Sequence, residues 1–577
     1  MNFDKYLTDI TSLLKTLSKK RKIQLYGILF LIILNSVFEL ASLGAVVPLI
    51  GVIIDPEIIF SNIYIRNIFN YLGYTRSSEI ILPVTIIFIL ITLIAGCSKL
   101  IILWANTKYA FTIGTEISLS VFKKTINQPY ETFLTSASSE SISNIISRID
   151  NVIFWIILPW LNLLSYSIVS IFLIFGLLLV DFSIAIVAGT SILTIYYIFL
   201  RLSKKNLEKN SKSIIENQAK IVRIIQESHY GIRDLIINNQ FVEILSKYEL
   251  ADRLLRKSYA SNLFISGSPK FFLETFGIIV IVLIAFFSLE LKENISTIIP
   301  KLGALALAAQ RLLPASQQIY SAWTSIKGAS DALAKIASIT KTPDVKENIS
   351  LKKITTKKSL KLHNISYIYP GSTKKSLNKI YLSIKINETY ALYGKSGSGK
   401  STLVDLIMGL LPPKKGYISV DGIQLKSKKQ ILSWQLNISH VPQTIYLFNG
   451  DLVKNITLLN DENDIDYKHY SQIIKICELD EFEKKYHKRK VKNLSDENNS
   501  LSGGEKQRIG IARALYQNRS FLILDEATNA MDFNLEKKII NNILNFYKEK
   551  TIIFITHRIS TLKLFKNRIK INNGSII

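Results

Sequence analysis

Apolar positions crowd the first half of the chain and become short and punctuated after it. Runs at residues 24–54, 80–104, 152–180, 181–200, 271–290 and 297–322 each approach or exceed the ~20 residues that cross a bilayer. They predict six transmembrane helices. Only Asp181 and its neighbours part the third from the fourth, which predicts a tight helical hairpin. Polar stretches near 105–150 and 201–262 keep a helical period and predict long extensions outside the bilayer. Between the first two spans, Ile58-Ile59-Phe60, Ile63, Ile65, Ile68-Phe69 and Tyr71-Leu72 are more apolar than an exposed connection needs, so an interfacial helix is expected. A chain of 577 residues exceeds one hydrophobic core. Thr342, Pro343 and the lysine-rich run up to about 358 read as a linker, which divides the chain into a membrane domain at 1–337 and a second domain at 338–577.

The formal charge of +27 raises the question of nucleic acid, and its placement answers it. Lys19, Lys20, Arg21 and Lys22 precede the first span, and Arg201, Lys204, Lys205, Lys209 and Lys212 follow the fourth. Those are the flanks that the positive-inside rule assigns to the cytoplasm, so both termini are expected there and no nucleic-acid partner is. The remaining lysines read as a solvated surface. The two cysteines, Cys97 and Cys477, exclude a disulfide framework or a cysteine metal cluster. About twenty charged and polar residues before the first span predict an uncleaved signal anchor with no room for a peptidase domain.

Chemistry concentrates in the last third. Gly394-Lys395-Ser396-Gly397-Ser398-Gly399-Lys400-Ser401, followed by Thr402, is a phosphate loop: glycines let backbone N–H groups curl around phosphates, while Lys400 meets phosphate and Ser401 meets Mg²⁺. The run Leu522-Ile523-Leu524 predicts a buried strand that delivers Asp525 to the metal, and Glu526 directly after it can polarise the attacking water. ATP with Mg²⁺ is the expected ligand pair, its anionic tail at the N-terminus of a helix starting near Lys400.

With Leu501-Ser502-Gly503-Gly504-Glu505 between these motifs, the region resembles the ATP-binding cassette. The resemblance implies an α-helical six-span transmembrane domain of the ABC exporter type followed by an α/β P-loop cassette. It also implies that Ser502, Gly503 and Gly504 cap ATP held by a second copy, that Tyr369 stacks on adenine, that His557 contacts the γ-phosphate, and that Gln443 links the metal and water to the membrane domain. Gln128-Pro129-Tyr130 and Gly231-Ile232-Arg233-Asp234 fall where such exporters place coupling helices. Three departures stand out: Glu505 where Gln is usual, Asn529 where Ser is usual, and Ser495-Asp496-Glu497-Asn498 in place of a glycine-rich stretch.

Polar groups inside spans are costly unless they face a cavity or a partner. Asn35, Glu39 and Ser42 share one face of span one. Lys99 lies in span two, Lys270 and Glu274 near the start of span five, and Arg311 in span six. Glu39, Lys99, Lys270 and Arg311 are therefore the candidate substrate cavity, suited to a phosphate or pyrophosphate headgroup; mutual ion pairing is the alternative. Phe38-Glu39, Pro48, Pro269 to Glu274, Gln310 to Ser316 and Tyr446 to Gly450 are similar to stretches of bacterial flippases of lipid-linked oligosaccharides. That similarity implies a half-transporter, paired with a second copy in the cytoplasmic membrane with its ATPase domain on the cytoplasmic side, that moves a polyisoprenyl-linked glycan or related glycolipid. A peptide, drug or lipid A exporter is the alternative, and a membrane-bound regulatory ATPase a more distant one.

Overall fold

A computed structural model describes residues 17–54, 56–57, 71, 76–135, 147–180, 182–290, 295–340, 352–459, 461–488, 493–494 and 501–577. The apolar loop at 58–70, Asp181, most of the linker and Ser495 to Asn498 lie outside them. The chain forms two compact units, Met1–Gln128 with Ser136–Val345, and Pro129–Thr135 with Lys346–Ile577. The boundary expected at 337/338 falls inside the helix Ser330–Thr340.

The first unit is helical throughout its described residues. Its long members are Lys19–Gly44, Ile81–Ile126, Leu158–Val180, Phe182–Tyr230, Phe241–Glu290 and Ile295–Gly328. A 49-residue helix such as Phe182–Tyr230 is about 74 Å long at ~1.5 Å per residue, more than twice the ~30 Å hydrocarbon core. One stretch of each such helix therefore lies in polar surroundings, as the switch from Leu193 and Tyr197 to Lys204, Lys205 and Lys209 along it requires. Among the described residues three segments are long and apolar enough to cross a membrane, Lys19–Ile54, Ile81–Ile126 and Ile149–Leu179. The other three expected spans lie on Phe182–Tyr230, Phe241–Glu290 and Ile295–Gly328, whose side chains are described only in part. Exposed Phe30, Leu93, Trp104, Leu179 and Phe264 give this unit an apolar outer surface. Inside, Ile32, Ala110, Val121, Ile156 and Ile336 form one core, and Leu43, Leu173, Leu177 and Leu312 a second.

The second unit contains two sheets. Strands β1 (Ser359–Tyr367), β2 (Leu377–Lys385), β4 (Lys415–Val420) and β5 (Ile423–Gln424) form an antiparallel sheet ordered β2-β1-β4-β5. Strands β3 (Thr389–Tyr393), β6 (Ile438–Val441), β7 (Phe521–Asp525), β8 (Thr551–Ile555), β9 (Asn567–Asn572) and β10 (Ser575–Ile576) form the other, ordered β10-β9-β3-β8-β7-β6. Within it, β9, β3, β8, β7 and β6 run parallel. Near-continuous apolar strands are what a parallel sheet covered on both faces demands, and Phe521 to Leu524 and Thr551 to Ile555 are buried throughout. Trp434 closes one side of the core, its indole N–H donating to the Ile407 carbonyl at 2.7 Å and its ring edge-on to Phe521.

On β6, His440 pairs in register with Ile523, and burial lowers its imidazole pKa from 6.5 to about 4. The folded chain keeps this ring neutral while the unfolded chain protonates it below its ordinary value. Its contribution is fully present above pH 6.5 and is lost as pH falls toward about 4, worth at most roughly 3 kcal/mol. Denaturant unfolding at pH 7.5 and 4.5 is expected to show a smaller acid loss for His440→Leu than for the wild type; an equal loss contradicts the assignment.

Candidate functional site

Register brings the candidate residues to one edge. Val441 pairs with Leu524, Asp525 with Ile555, and Leu392 with Ile555. The chain therefore leaves β3, β6, β7 and β8 at one level, delivering the Gly394 loop, Gln443, Glu526 and His557 side by side, at the carboxyl ends where open parallel sheets bind ligands.

Glycine is required in the loop. A side chain on Gly394 (φ +154°) would place its Cβ 2.1 Å from the Ile571 carbonyl oxygen, and one on Gly399 (φ +105°) 2.7 Å from that of Ser376. The buried Lys400 ammonium donates to the carbonyls of Gly394 and Lys395, each at 3.0 Å, bracing the loop from inside. Burial lowers its pKa, opposed by the carboxylates of Glu526 and Asp525. Gly399 caps the helix Lys400–Ile407 in a left-handed conformation without a side-chain cap, leaving the first N–H groups for an anion. The buried Ser398 hydroxyl has no hydrogen-bond partner among the described residues, and Ser401 is exposed beside it. Half-buried Tyr369 shares a 3.1 Å hydroxyl contact with Thr402 and lies edge-on to Tyr367, ring centroids 5.0 Å apart. Tyr367 in turn donates to Glu131 at 3.0 Å, and Lys414 pairs with the same carboxylate at 2.9 Å. Lys414 is the leading cause holding the Glu131 carboxyl below its ordinary pKa. The segment after Gln128 is thereby fastened to the strand that carries the tyrosines.

At the end of β7, burial and then the adjacent Glu526 raise the Asp525 pKa. Glu526 has a positive φ of 49°. Its carboxylate is held from three segments: His557 Nε2 is 2.7 Å from Oε1, while Gln443 Nε2 and Asn529 Nδ2 donate to Oε2 at 3.0 and 2.8 Å. The next residue, Arg558, donates to the Asn529 carbonyl at 3.0 Å and pairs with the buried Glu536. Glu536 also accepts from the hydroxyls of Thr528 and Thr561, each at 2.9 Å.

The signature stretch packs against the Asn529 to Met531 loop of its own chain. Ser502 and Glu505 close a capping box at the start of the helix Gly503–Tyr516, the Ser502 hydroxyl donating to Glu505 at 2.9 Å. A Cβ on Gly503 would come 3.0 Å from that of Ala530, and Gln507 accepts from the Ala530 N–H at 2.9 Å. Among the described residues no hydrogen bond or ion pair joins Ser502, Gly503 or Gly504 to the phosphate loop.

In the membrane unit three of the four candidate cavity residues meet. Glu39, 1% exposed, has Lys99 on Oε1 and Arg311 on Oε2, both at 2.5 Å. Arg311 also donates to the Glu39 carbonyl at 3.1 Å and to the Ser42 hydroxyl. Ser98 donates to Asn35 at 2.7 Å, so the Asn35, Glu39 and Ser42 face is the one that meets its neighbours. Lys270 is elsewhere, 3.7 Å from Glu274 one turn along its own helix, both half exposed. The pairing alternative therefore describes Glu39 with both cations. Sequence reasoning did not find Gln507, Glu536 or Arg558; a charged residue directly after His557 was the available signal.

Removing Arg558 strands the buried Glu536 carboxylate, so Arg558→Ala is expected to destabilise the protein by roughly 3 kcal/mol. A thermal unfolding midpoint equal to the wild type's contradicts this.

Comparison with known proteins places these features. Residues 27–298 match the ABC transporter transmembrane region and residues 377–529 the ABC transporter family. The lactococcin-A transport/processing ATP-binding protein of Lactococcus lactis subsp. lactis is 41% identical over 224 residues, 38% of this chain and 30% of that protein, so the chain spans under a third of that relative. A Rickettsia bellii protein provisionally named an export ATP-binding/permease protein is 30% identical over 478 residues, 80% of each chain. The ATP-dependent lipid A-core flippase of Haemophilus influenzae is 27% identical over 383 residues, 66% of this chain and 64% of that one. The structure of a bacterial Atm1-family ABC exporter with ATP bound superposes with a TM-score of 0.78 at 16% identity, over 96% of this chain and 95% of that one, and thus shares the fold. A helical membrane region followed by an ATP-binding unit, matched at both ends and over most of a full-length relative, means that the chain belongs to the ABC transporter family, as an exporter-type half-transporter.

Proposed function

We propose that two copies of this chain form an ATP-hydrolysing exporter of the cytoplasmic membrane, with the ATPase units on the cytoplasmic side, that flips a lipid-linked oligosaccharide or related anionic glycolipid. One observation carries the two-copy reading: Ser502 to Gly504 are built against their own chain's Asn529 to Met531 loop and, among the described residues, have no hydrogen bond or ion pair to their own phosphate loop. ATP then lies on the loop Gly394 to Thr402, with Tyr369 against the base and Ser502 and Gly504 of the partner subunit over its γ-phosphate. Ser401, Gln443 and Asp525 supply oxygen donors, a hard set that fits Mg²⁺, and the raised pKa of Asp525 belongs to a carboxylate that a divalent cation relieves. When bound, that ion neutralises charge on the phosphates. Lys400 moves from loop carbonyls to phosphate, His557 turns to the γ-phosphate, and Glu526 orients the water and takes its proton.

The substrate reading rests on Glu39, Lys99 and Arg311. Two cations around the buried Glu39 leave a formal excess of one positive charge on side chains that stay partly exposed, which suits a phosphate or pyrophosphate headgroup. A relative named as an ATP-dependent lipid A-core flippase, aligned over 66% of this chain, supports a lipid substrate. A peptide cargo is the second reading, favoured by the identity to the lactococcin transport/processing protein.

In liposomes, Glu526→Gln is expected to bind ATP but hydrolyse it at least about a hundredfold more slowly; turnover near the wild-type rate contradicts the base assignment. Arg311→Ala is expected to lower glycolipid molecules flipped per ATP hydrolysed by about tenfold, as loss of one charge-assisted contact implies. An unchanged ratio sinks the headgroup role.

A further inference from the structure

We infer that Asn529 is the positioning residue of the hydrolytic centre, holding Oε2 of Glu526 while Oε1 turns to water. The inference rests on the ATPase reading above. Three side chains bond the Glu526 carboxylate, but they differ in what else they must do. His557 occupies Oε1 at 2.7 Å and Gln443 shares Oε2 at 3.0 Å, and both are needed by nucleotide: the imidazole at the γ-phosphate, the amide at metal and water. Once they leave, Oε1 is free and Asn529 remains on Oε2 at 2.8 Å.

Asn529 is fixed at both backbone ends. Its N–H donates to the Glu526 carbonyl at 3.3 Å, closing a turn, and its carbonyl accepts from Arg558 at 3.0 Å. Arg558 is anchored by Glu536, and Glu536 by Thr528 and Thr561. The neighbouring Ala530 N–H is tied to Gln507 of the signature helix. The loop therefore has little freedom to swing the amide away, and Glu526 itself, at φ +49°, sits in a backbone conformation that needs outside support. A serine here would be one atom shorter and could not reach Oε2 without moving this braced backbone. The Asn529 amide thus gives the catalytic carboxylate a donor of its own, from the loop that also abuts the signature glycines.

The test uses the full-length protein in liposomes, with kcat and KM for MgATP and the thermal midpoint measured for Asn529→Ala, Asn529→Ser and Glu526→Gln. Expected are a roughly tenfold lower kcat in both Asn529 variants, as loss of one hydrogen bond to a charged group implies, with KM within about twofold and the midpoint unchanged. A kcat within twofold of wild type in either variant overturns the inference, provided Glu526→Gln is inactive. Parallel losses in kcat, ATP affinity and midpoint also overturn it, because they mark a merely structural loop. An active Glu526→Gln overturns the base assignment on which the inference rests, and a wild-type protein that does not hydrolyse MgATP overturns the ATPase reading instead.

Discussion

Parallel strand register is the constraint on which the rest depends. Four strands that end at one level bring a phosphate loop, a glutamine, two acidic residues and a histidine from sequence positions as far apart as 394 and 557 to a common edge. The strands can do this because their side chains are apolar on both faces, so the sheet is fixed by burial and only its ends remain for chemistry. A shift of one residue between β7 and β8 would separate Glu526 from His557, whatever the motifs read.

The consequence is a site that is well braced and that, on the proposed function, a second chain completes. Lys400 rests on the loop's own carbonyls, His557 and Gln443 rest on Glu526, and Ser502 rests on Glu505. Each of these groups has an internal partner, which nucleotide or a second chain replaces on the proposed function. These are modest hydrogen bonds, replaceable by charged phosphate oxygens, so the cost of switching partners is small against what ATP supplies. On the other side of the loop, the path Glu131, Tyr367, Tyr369, Thr402 ties the segment after Gln128 to the helix that carries Lys400.

Local motifs made much of this legible in the sequence, because phosphate loops and apolar strands are written in contiguous residues. The face of span one carrying Asn35, Glu39 and Ser42 was legible for the same reason, as a helical period. Which charges meet was not: Lys99 and Arg311 converge on Glu39, whereas Lys270 finds Glu274 a turn away, and only the packing of separate helices decides that. Glu505 and Asn529 read as bare departures from the family pattern. The structure gives each a partner: Ser502 through a capping box that the Ser-x-x-Glu spacing itself signals, and Glu526 through a turn that no spacing signals. The Arg558 and Glu536 pair spans residues far apart in sequence and leaves no periodic signal.

The central claim is that ATP is hydrolysed between two copies, the phosphate loop of one and the signature of the other. Mixing two inactive variants tests it most directly: Lys400→Ala and Gly504→Asp chains, each without activity alone, are co-reconstituted and their ATP hydrolysis measured. In the mixed pair both lesions fall in one site and the second site is intact, so hydrolysis is predicted to reappear in the mixture. A mixture as inactive as its two components, with pairing of the chains verified by pull-down, would contradict the account.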